Sequence, residues 1–538
     1  MKKNTHYEYY KVHEIKDLKE MLEYSGEKFS DETAFMFARG KKEMSVTYFQ
    51  FKSDVDALGT YFRSIAERGT AIAVYGENSY EWILTYFAAV CGSDIIVPID
   101  KELGGAELAN LVNDSGAKLV VYSGAKSAAV DEYRESMGAV EHFICTSGIA
   151  DCIEQGRALL KAGNRSFADN EIDREKMCAL IYTSGTTGKP KGVMLSHKNL
   201  ASDVMNSCSN LKEPRDTVAV LPLNHTFGMM ACVLCQVFEG HKVYINNSLR
   251  NILKDMNTLK PCHISVVPLF VETFYKKIWK TAEKSGKAGM LRNMVKVSNA
   301  LMKVGIDLRR VFFRSVINSF GGNLEMIISG GAPIDNKYMK GFEELGITVI
   351  NGYGITECSP IVATNRNNDY RFGSVGLAIP GTEVRVDCPN EAGEGELLVR
   401  GDIVMMGYFK NEEATAAAFD GDWFRTGDIG RIDEDGFIYI TGRKKNIIIL
   451  SNGKNVYPEE IEAVVLGVEG VSEVLVYGKD DVICAEIYTE TPDEKDRIKK
   501  DVQALNASLP PQKQIKNVVF RDTEFEKTST KKIKRFLY

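Results

Sequence analysis

The sequence predicts an α/β protein. It reads as a large N-terminal domain of helix-covered, mostly parallel sheets with a β-subdomain, followed by a small α+β C-terminal domain. Three observations carry this. Short apolar runs ending in glycine alternate with amphipathic segments in the first part of the chain, the pattern of parallel strands and their covering helices. Further on, short runs bounded by glycine turns replace them. The length of 538 residues exceeds one simple core and calls for roughly two to four folding units.

The elements follow in order. AIAVYGENSYEWILTYFAAVCGSDIIVPID (71–100) passes from apolar run to turn, amphipathic segment, glycine and a second apolar run, a β-α-β unit. KLVVYSG (118–124) and CALIYTSG (178–185) are further strands. EGELLVRGD (394–402) and DGFIYITGR (435–443) are short β-elements between glycine turns. YPEEIEAVVL (457–466) opens a helix, with Pro458 suited to the first turn and Glu459 and Glu460 to the positive end of the dipole. From about residue 444 the chain reads as a small α/β unit, so the expected division is 1–443 and 444–538.

Composition narrows the class. The formal net charge is −6, no 18-residue apolar run occurs, and MKKNTHYEYYKVHEIKDLKEML has no apolar segment behind its lysines. Neither a membrane span nor a secretory signal is expected. Eleven cysteines are scattered, and the C-x-x-C of Cys232 and Cys235 sits inside the apolar MMACVLCQVF, which reads as core packing. A reduced, cytoplasmic protein is expected, without a nucleic-acid partner. Between Lys276 and Arg314, eleven Lys and Arg face only Glu283 and Asp307. A solvated helical face fits this run. So does a patch for peripheral contact at the inner membrane surface (276–314), or attraction for an anionic substrate.

TSGTTGKPKG (183–192) follows the strand-like CALIY. Its glycines permit close backbone approach and its successive N–H groups can form an anion nest. Thr183, Ser184, Thr186 and Thr187 add hydroxyls, Lys189 and Lys191 positive charge. These features suit a polyphosphate. A Walker loop would enter a helix after its lysine; here Pro190 follows Lys189 and opposes that.

The loop closely resembles the phosphate loop of the adenylate-forming, AMP-binding enzymes: acyl-CoA synthetases, peptide-synthetase adenylation domains and luciferases. Other segments resemble that family's signatures, in family order: PLNHTFGM (222–229), SGGAP (329–333), NGYGITE (351–357), WFRTGD (423–428), GRKKNIIILSNGKNVYPEEIE (442–462) and TSTKKIKR (528–535). SVVPLFVETFYKKI, the basic run behind it and FGGNLEMIISGGAP resemble the long-chain fatty acyl-CoA ligase branch.

The resemblance implies ATP, Mg²⁺ and CoA, and a role for each matching residue. Thr183, Ser184, Gly185, Thr186, Thr187, Gly188 and Lys189 would cradle phosphate. Gly330, Gly331, Ala332 and Pro333 would lie on the adenine side. Asn351, Gly352, Tyr353 and Gly354 would carry the adenine-stacking tyrosine. Glu357 would be the Mg²⁺ ligand, one or two carboxylates being usual for that ion, and Thr356 would bond phosphate. Asp428 would accept from the ribose hydroxyls and Arg443 would make a second nucleotide contact. His225 would stand near the substrate carboxylate or acyl channel. Lys445 would be the hinge of a mobile C-terminal lid, 444–538. Lys532 would neutralise charge as carboxylate meets α-phosphate; the family usually has glycine before it, where this chain has Lys531.

The implied reaction is carboxylate plus ATP to acyl-AMP and pyrophosphate, then thiol attack with loss of AMP. Amino-acid-activating relatives place Asp after the aromatic; here Gly228 follows Phe227, so an α-amino acid is not expected, and the resemblance to the long-chain branch implies a medium- or long-chain fatty acid. Met229, Met230, Ala231, Val266, Val267 and Phe270 would line an apolar pocket or fill core. The alternatives are loading of an acyl carrier protein and a luciferase-like oxygenase.

Overall fold

The computed structural model describes residues 7–538 except 41, 184–189, 247, 249, 250, 451–454 and 528–532. The chain forms two compact units. The first holds residues up to Phe372 with Gly376–Thr382 and Arg400–Ala417; the second holds Gly373–Val375, Glu383–Val399 and Ala418–Tyr538.

Among the described residues, the first unit carries two large sheets. One is ordered Gly407–Tyr408, Lys191–Ser196, Met177–Thr183, Ile95–Ile99, Ala71–Tyr75, Leu119–Tyr122 and His142–Cys145. Its last five strands run parallel. The β-α-β unit expected at 71–100 forms as the strand Ala71–Tyr75, the helix Tyr80–Cys91 and the strand Ile95–Ile99. Ser79 caps that helix by accepting from the Trp82 N–H at 3.1 Å. Every helix residue but Glu81 is buried, as an almost wholly apolar helix requires.

The strand Met177–Thr183 pairs antiparallel with Lys191–Ser196, placing Thr183 opposite Lys191. The glycine-rich stretch therefore joins two strands and does not open a helix, as Pro190 foretells.

The other sheet of this unit has parallel inner strands Thr348–Gly354, Met326–Ser329, His263–Val266, Thr217–Ala219, Val243–Ile245 and Thr33–Arg39, with antiparallel strands at both edges. Cys232 and Cys235 are buried free thiols in the helical run Thr226–Glu239, so they are core. The basic run folds mainly as the helices Pro268–Lys284 and Ala288–Met302.

In the second unit, Thr382–Asp387, Gly395–Gly401, Trp423–Ile432, Phe419–Asp420 and Ile438–Arg443 make the β-subdomain sheet. Beyond it, the helix Pro458–Val465 starts on Pro458 with Glu459 and Glu460 in its first turn. That helix and Lys495–Leu505 pack on the sheet Glu473–Lys479, Val482–Tyr488 and Ile515–Arg521 around Ile461, Val476, Ala485, Ile487 and Ile498. Asp480 and Asp481 form the tight turn between the first two strands, both with positive φ (50° and 61°), the twist a two-residue hairpin favours. Among the described residues, no helix is long and apolar enough to cross a membrane.

Candidate active site

In the first unit the site residues gather at strand ends. Met326–Ser329 and Thr348–Gly354 are parallel, with Ser329 opposite Asn351. Gly330–Pro333, which follows the first strand, and Asn351–Glu357, the end of the second and the turn beyond it, therefore lie at the same edge, where ligands meet parallel sheets. Gly330 is buried, and a Cβ there would stand 3.0 Å from the Phe227 ring. Gly331 has φ +82°, a left-handed conformation that favours glycine. Ala332 and Pro333 are exposed.

Tyr353 lies opposite Ala363 on the antiparallel strand Ile361–Thr364. Gly354 cannot carry a side chain, because its Cβ would lie 2.2 Å from the Pro360 carbonyl oxygen. This tight return leaves Thr356–Cys358 as a single 3₁₀ turn. Thr356 Oγ1 stands 3.4 Å from Thr226 Oγ1.

Glu357 is held twice. Its carboxylate Oε1 accepts from the Tyr408 hydroxyl at 2.9 Å, and its carbonyl accepts from the Met405 N–H at 2.9 Å. Burial, and then the Glu357 charge, push the Tyr408 phenol well above its ordinary range, so it remains a donor. Lys191 Nζ stands 4.7 Å from the centre of the Tyr408 ring. A chain of contacts thus runs from Thr183, whose hydroxyl donates to the Lys191 carbonyl at 3.4 Å, through Lys191 and Tyr408 to Glu357. Ser184, Gly185, Thr186, Thr187, Gly188 and Lys189 lie outside the described residues. A single fixed carboxylate fits Mg²⁺, which completes its shell with phosphate oxygens and water.

The helix His197–Asn210 braces both sides of Glu357. Asn199 donates to the carbonyls of Asp402 and Val404 at 2.7 and 2.8 Å. Asp203, fully buried, accepts from the Ile361 N–H and the Ser207 hydroxyl, both at 3.1 Å. Sequence reasoning missed Tyr408, Asn199 and Asp203. MGYFKN carries no motif of its own, and the two helix residues look like ordinary polar positions.

His225 caps the short helix Thr226–Met229, with Nε2 3.9 Å from Asp100 Oδ2. The helix continues through a π-turn, Met230–Leu234, a distortion frequent at functional sites. A narrow apolar cavity of about 10 Å³ lies against it, lined by Tyr86, Ile181, Leu223, Thr226, Met229, Met230 and neighbours, without a charged side chain. Of the expected pocket residues Met229 and Met230 reach it; Ala231 and Val266 are buried elsewhere in the core.

In the second unit Asp428 and Arg443 are register partners on adjacent strands, with Arg443 Nε 2.6 Å from Asp428 Oδ1. The Asp428 side chain is only 4% exposed and that of Arg443 40%, so the guanidinium provides a countercharge for a carboxylate drawn out of water. Lys445 lies in the turn Lys444–Asn446, exposed. Lys532 lies outside the described residues, but its flanks are fixed. Lys527 bridges antiparallel to Ile533 and pairs with Glu473, while Arg535 pairs with Glu462.

The chain matches the AMP-binding enzyme family over residues 22–409 and the AMP-binding enzyme C-terminal domain over 445–537. It is 30% identical over 435 residues to the long-chain-fatty-acid–CoA ligase FadD15 of Mycobacterium bovis, covering 77% of this chain and 71% of that protein. The fold is shared with the anthranilate CoA ligase AuaEII in complex with anthranoyl-AMP (TM-score 0.79, 22% identity, 100% of this chain and 98% of that one). It is shared too with the O-succinylbenzoate coenzyme A synthetase of Bacillus subtilis in complex with ATP and magnesium (TM-score 0.74, 22% identity, 96% and 98%). The chain belongs to the AMP-binding enzyme family and is an adenylate-forming acid–thiol ligase.

Proposed function

We propose that this chain activates a medium- or long-chain fatty acid with ATP and Mg²⁺ and transfers the acyl group to CoA. The observation that carries the substrate class is the mostly apolar lining beside Thr226, Met229 and Met230, which offers no carboxylate as countercharge for an α-ammonium. The name of the mycobacterial relative supports the same class.

In the first half-reaction a carboxylate oxygen attacks the α-phosphorus, and the bond to the bridging oxygen of pyrophosphate breaks. Two anions must meet, so the chain's work is placement and charge neutralisation. Thr183, Thr356 and the loop 184–189 hold phosphate. Glu357, kept in place by Tyr408, would hold Mg²⁺, which would offset phosphate charge. Gly330–Pro333 and Tyr353 take the adenine, Asp428 and Arg443 the ribose side, and His225 the end of the acid that reacts. Lys532 supplies the ammonium for the developing charge. In the second half-reaction the CoA sulfur attacks the acyl carbon and AMP leaves with the mixed-anhydride oxygen. We assign the division at 443/444 and the hinge at Lys445 to the exchange between the two steps.

A panel of short, aromatic, medium and long carboxylic acids, read by pyrophosphate release with CoA present, tests the reading. Highest kcat/KM for aliphatic acids of medium or long chain supports it. Preference for aryl or amino acids overturns the substrate class, release dependent on a carrier protein moves the acceptor, and oxygen uptake during turnover reveals an oxygenase.

A further inference from the structure

We propose that the surface built by the helix Ala288–Met302 and the segment that follows it to Arg314 docks on a bilayer containing anionic phospholipid. Two observations on the same stretch meet here. The first is apolar exposure. Among the described residues, seven of the seventeen exposed large apolar side chains fall in the 22 positions 290–311. Val304 is 70% exposed, Val311 68%, Met290 56% and Val297 53%. Single exposed apolar side chains are ordinary, but a cluster marks a contact surface.

The second is charge. From Lys276 to Arg314 eleven Lys and Arg meet two acids, in a chain whose net charge is −6. Lys280, Lys284, Lys287, Lys296 and Lys303 are exposed, and none has an acidic partner within 4.0 Å among the described residues.

The local geometry fits a lipid interface. Met290, Met294, Val297 and Leu301 recur at helical spacing, beside the buried stripe of Leu291 and Ser298. Val304, Ile306 and Leu308 then follow at every second position in the turn leaving the helix, and Arg309 there is drawn back by Asp307 at 2.8 Å. Lysine stems can lie along the apolar surface while their ammonium groups reach phosphate. Stable binding to a leaflet takes two signals, apolar insertion and basic attraction, and this surface carries both. A nucleic acid would satisfy the lysines but leave Val304, Ile306 and Val311 in water.

The test is co-sedimentation of the full chain, without substrate, with vesicles of phosphatidylcholine alone or mixed with phosphatidylglycerol, at low and high salt. Two paired variants accompany the wild type, V304S/V311S and K296E/K303E, each checked by its melting temperature. The wild type is expected to bind the anionic vesicles at least about 10-fold more tightly than the neutral ones, and less so at high salt. Each variant pair should lose about 10-fold or more of that binding. Equal binding of wild type and both variants overturns the proposal, as does no binding. Concentration-dependent self-association abolished by V304S/V311S, with no vesicle binding, would assign the face to a second copy instead. Because no acid, ATP or CoA is present, these outcomes are separate from failure of the ligase reading.

Discussion

The Tyr408 hydroxyl donates to Glu357 Oε1 at 2.9 Å, in a strand pair that sets Tyr408 opposite Val193. Glu357 is thereby oriented from a strand paired with the one that follows the glycine-rich loop. A hydrogen bond to a charged group is worth about 1.5–3 kcal/mol. Tyr408→Phe should therefore lower the adenylation rate roughly 10- to 100-fold and raise the Mg²⁺ concentration needed for half-maximal rate. ATP–pyrophosphate exchange across a magnesium titration reads both. A rate loss with an unmoved magnesium midpoint would show that Tyr408 does not act through Glu357.

Asp428 and Arg443 should behave as a unit. Asp428→Asn keeps the shape but loses the acceptor charge, so KM for ATP should rise about 10-fold or more while folding persists. Arg443→Ala removes a countercharge from a carboxylate that is 4% exposed, so it should cost melting temperature as well. Equal melting temperatures for both variants and the wild type would remove the pairing argument.

Lys532→Ala should cripple acyl-adenylate formation and spare thiol transfer to preformed acyl-AMP. Single-turnover assays of the two halves decide, and equal loss in both would contradict the assignment. The flanking pairs Lys527–Glu473 and Arg535–Glu462 make a second expectation. Arg535→Ala should weaken the first half-reaction more than the second, because it frees the segment that follows Lys532.

Glu462 gives a pH dependence. Burial lifts its carboxyl from 4.5 to about 7, against the pull of Arg535. Between those values the folded chain keeps a proton that the unfolded chain has released. Its contribution to stability is therefore full below about 4.5 and declines as pH rises to about 7. Glu462→Gln should flatten that decline, as followed by melting temperature against pH. An unchanged slope would exclude Glu462 as its source.

Much of the fold was legible because the strands are short, apolar and closed by glycine, as in Ala71–Tyr75 and Met177–Thr183. The glycine-rich loop suggested phosphate binding through its own residues, and Pro190 announced that no helix would follow. Glu357 and Asp428 were legible only through their motifs, since a carboxylate in a turn is common. Tyr408 and Asp203 were not legible. Their importance comes from contacts 51 and 158 positions away in sequence, and no local pattern encodes such a distance. The exposed valines of the basic run were hidden for the same reason, since periodicity alone does not say which stripe of a helix is covered.

The most direct test of the central claim is a quenched reaction of enzyme, ATP, Mg²⁺ and a long-chain fatty acid without CoA, analysed by mass spectrometry. Fatty acyl-AMP and pyrophosphate should accumulate, and adding CoA should convert the adenylate to acyl-CoA and AMP. Formation of ADP and an acyl phosphate, or no adenylate with any fatty acid, would contradict it.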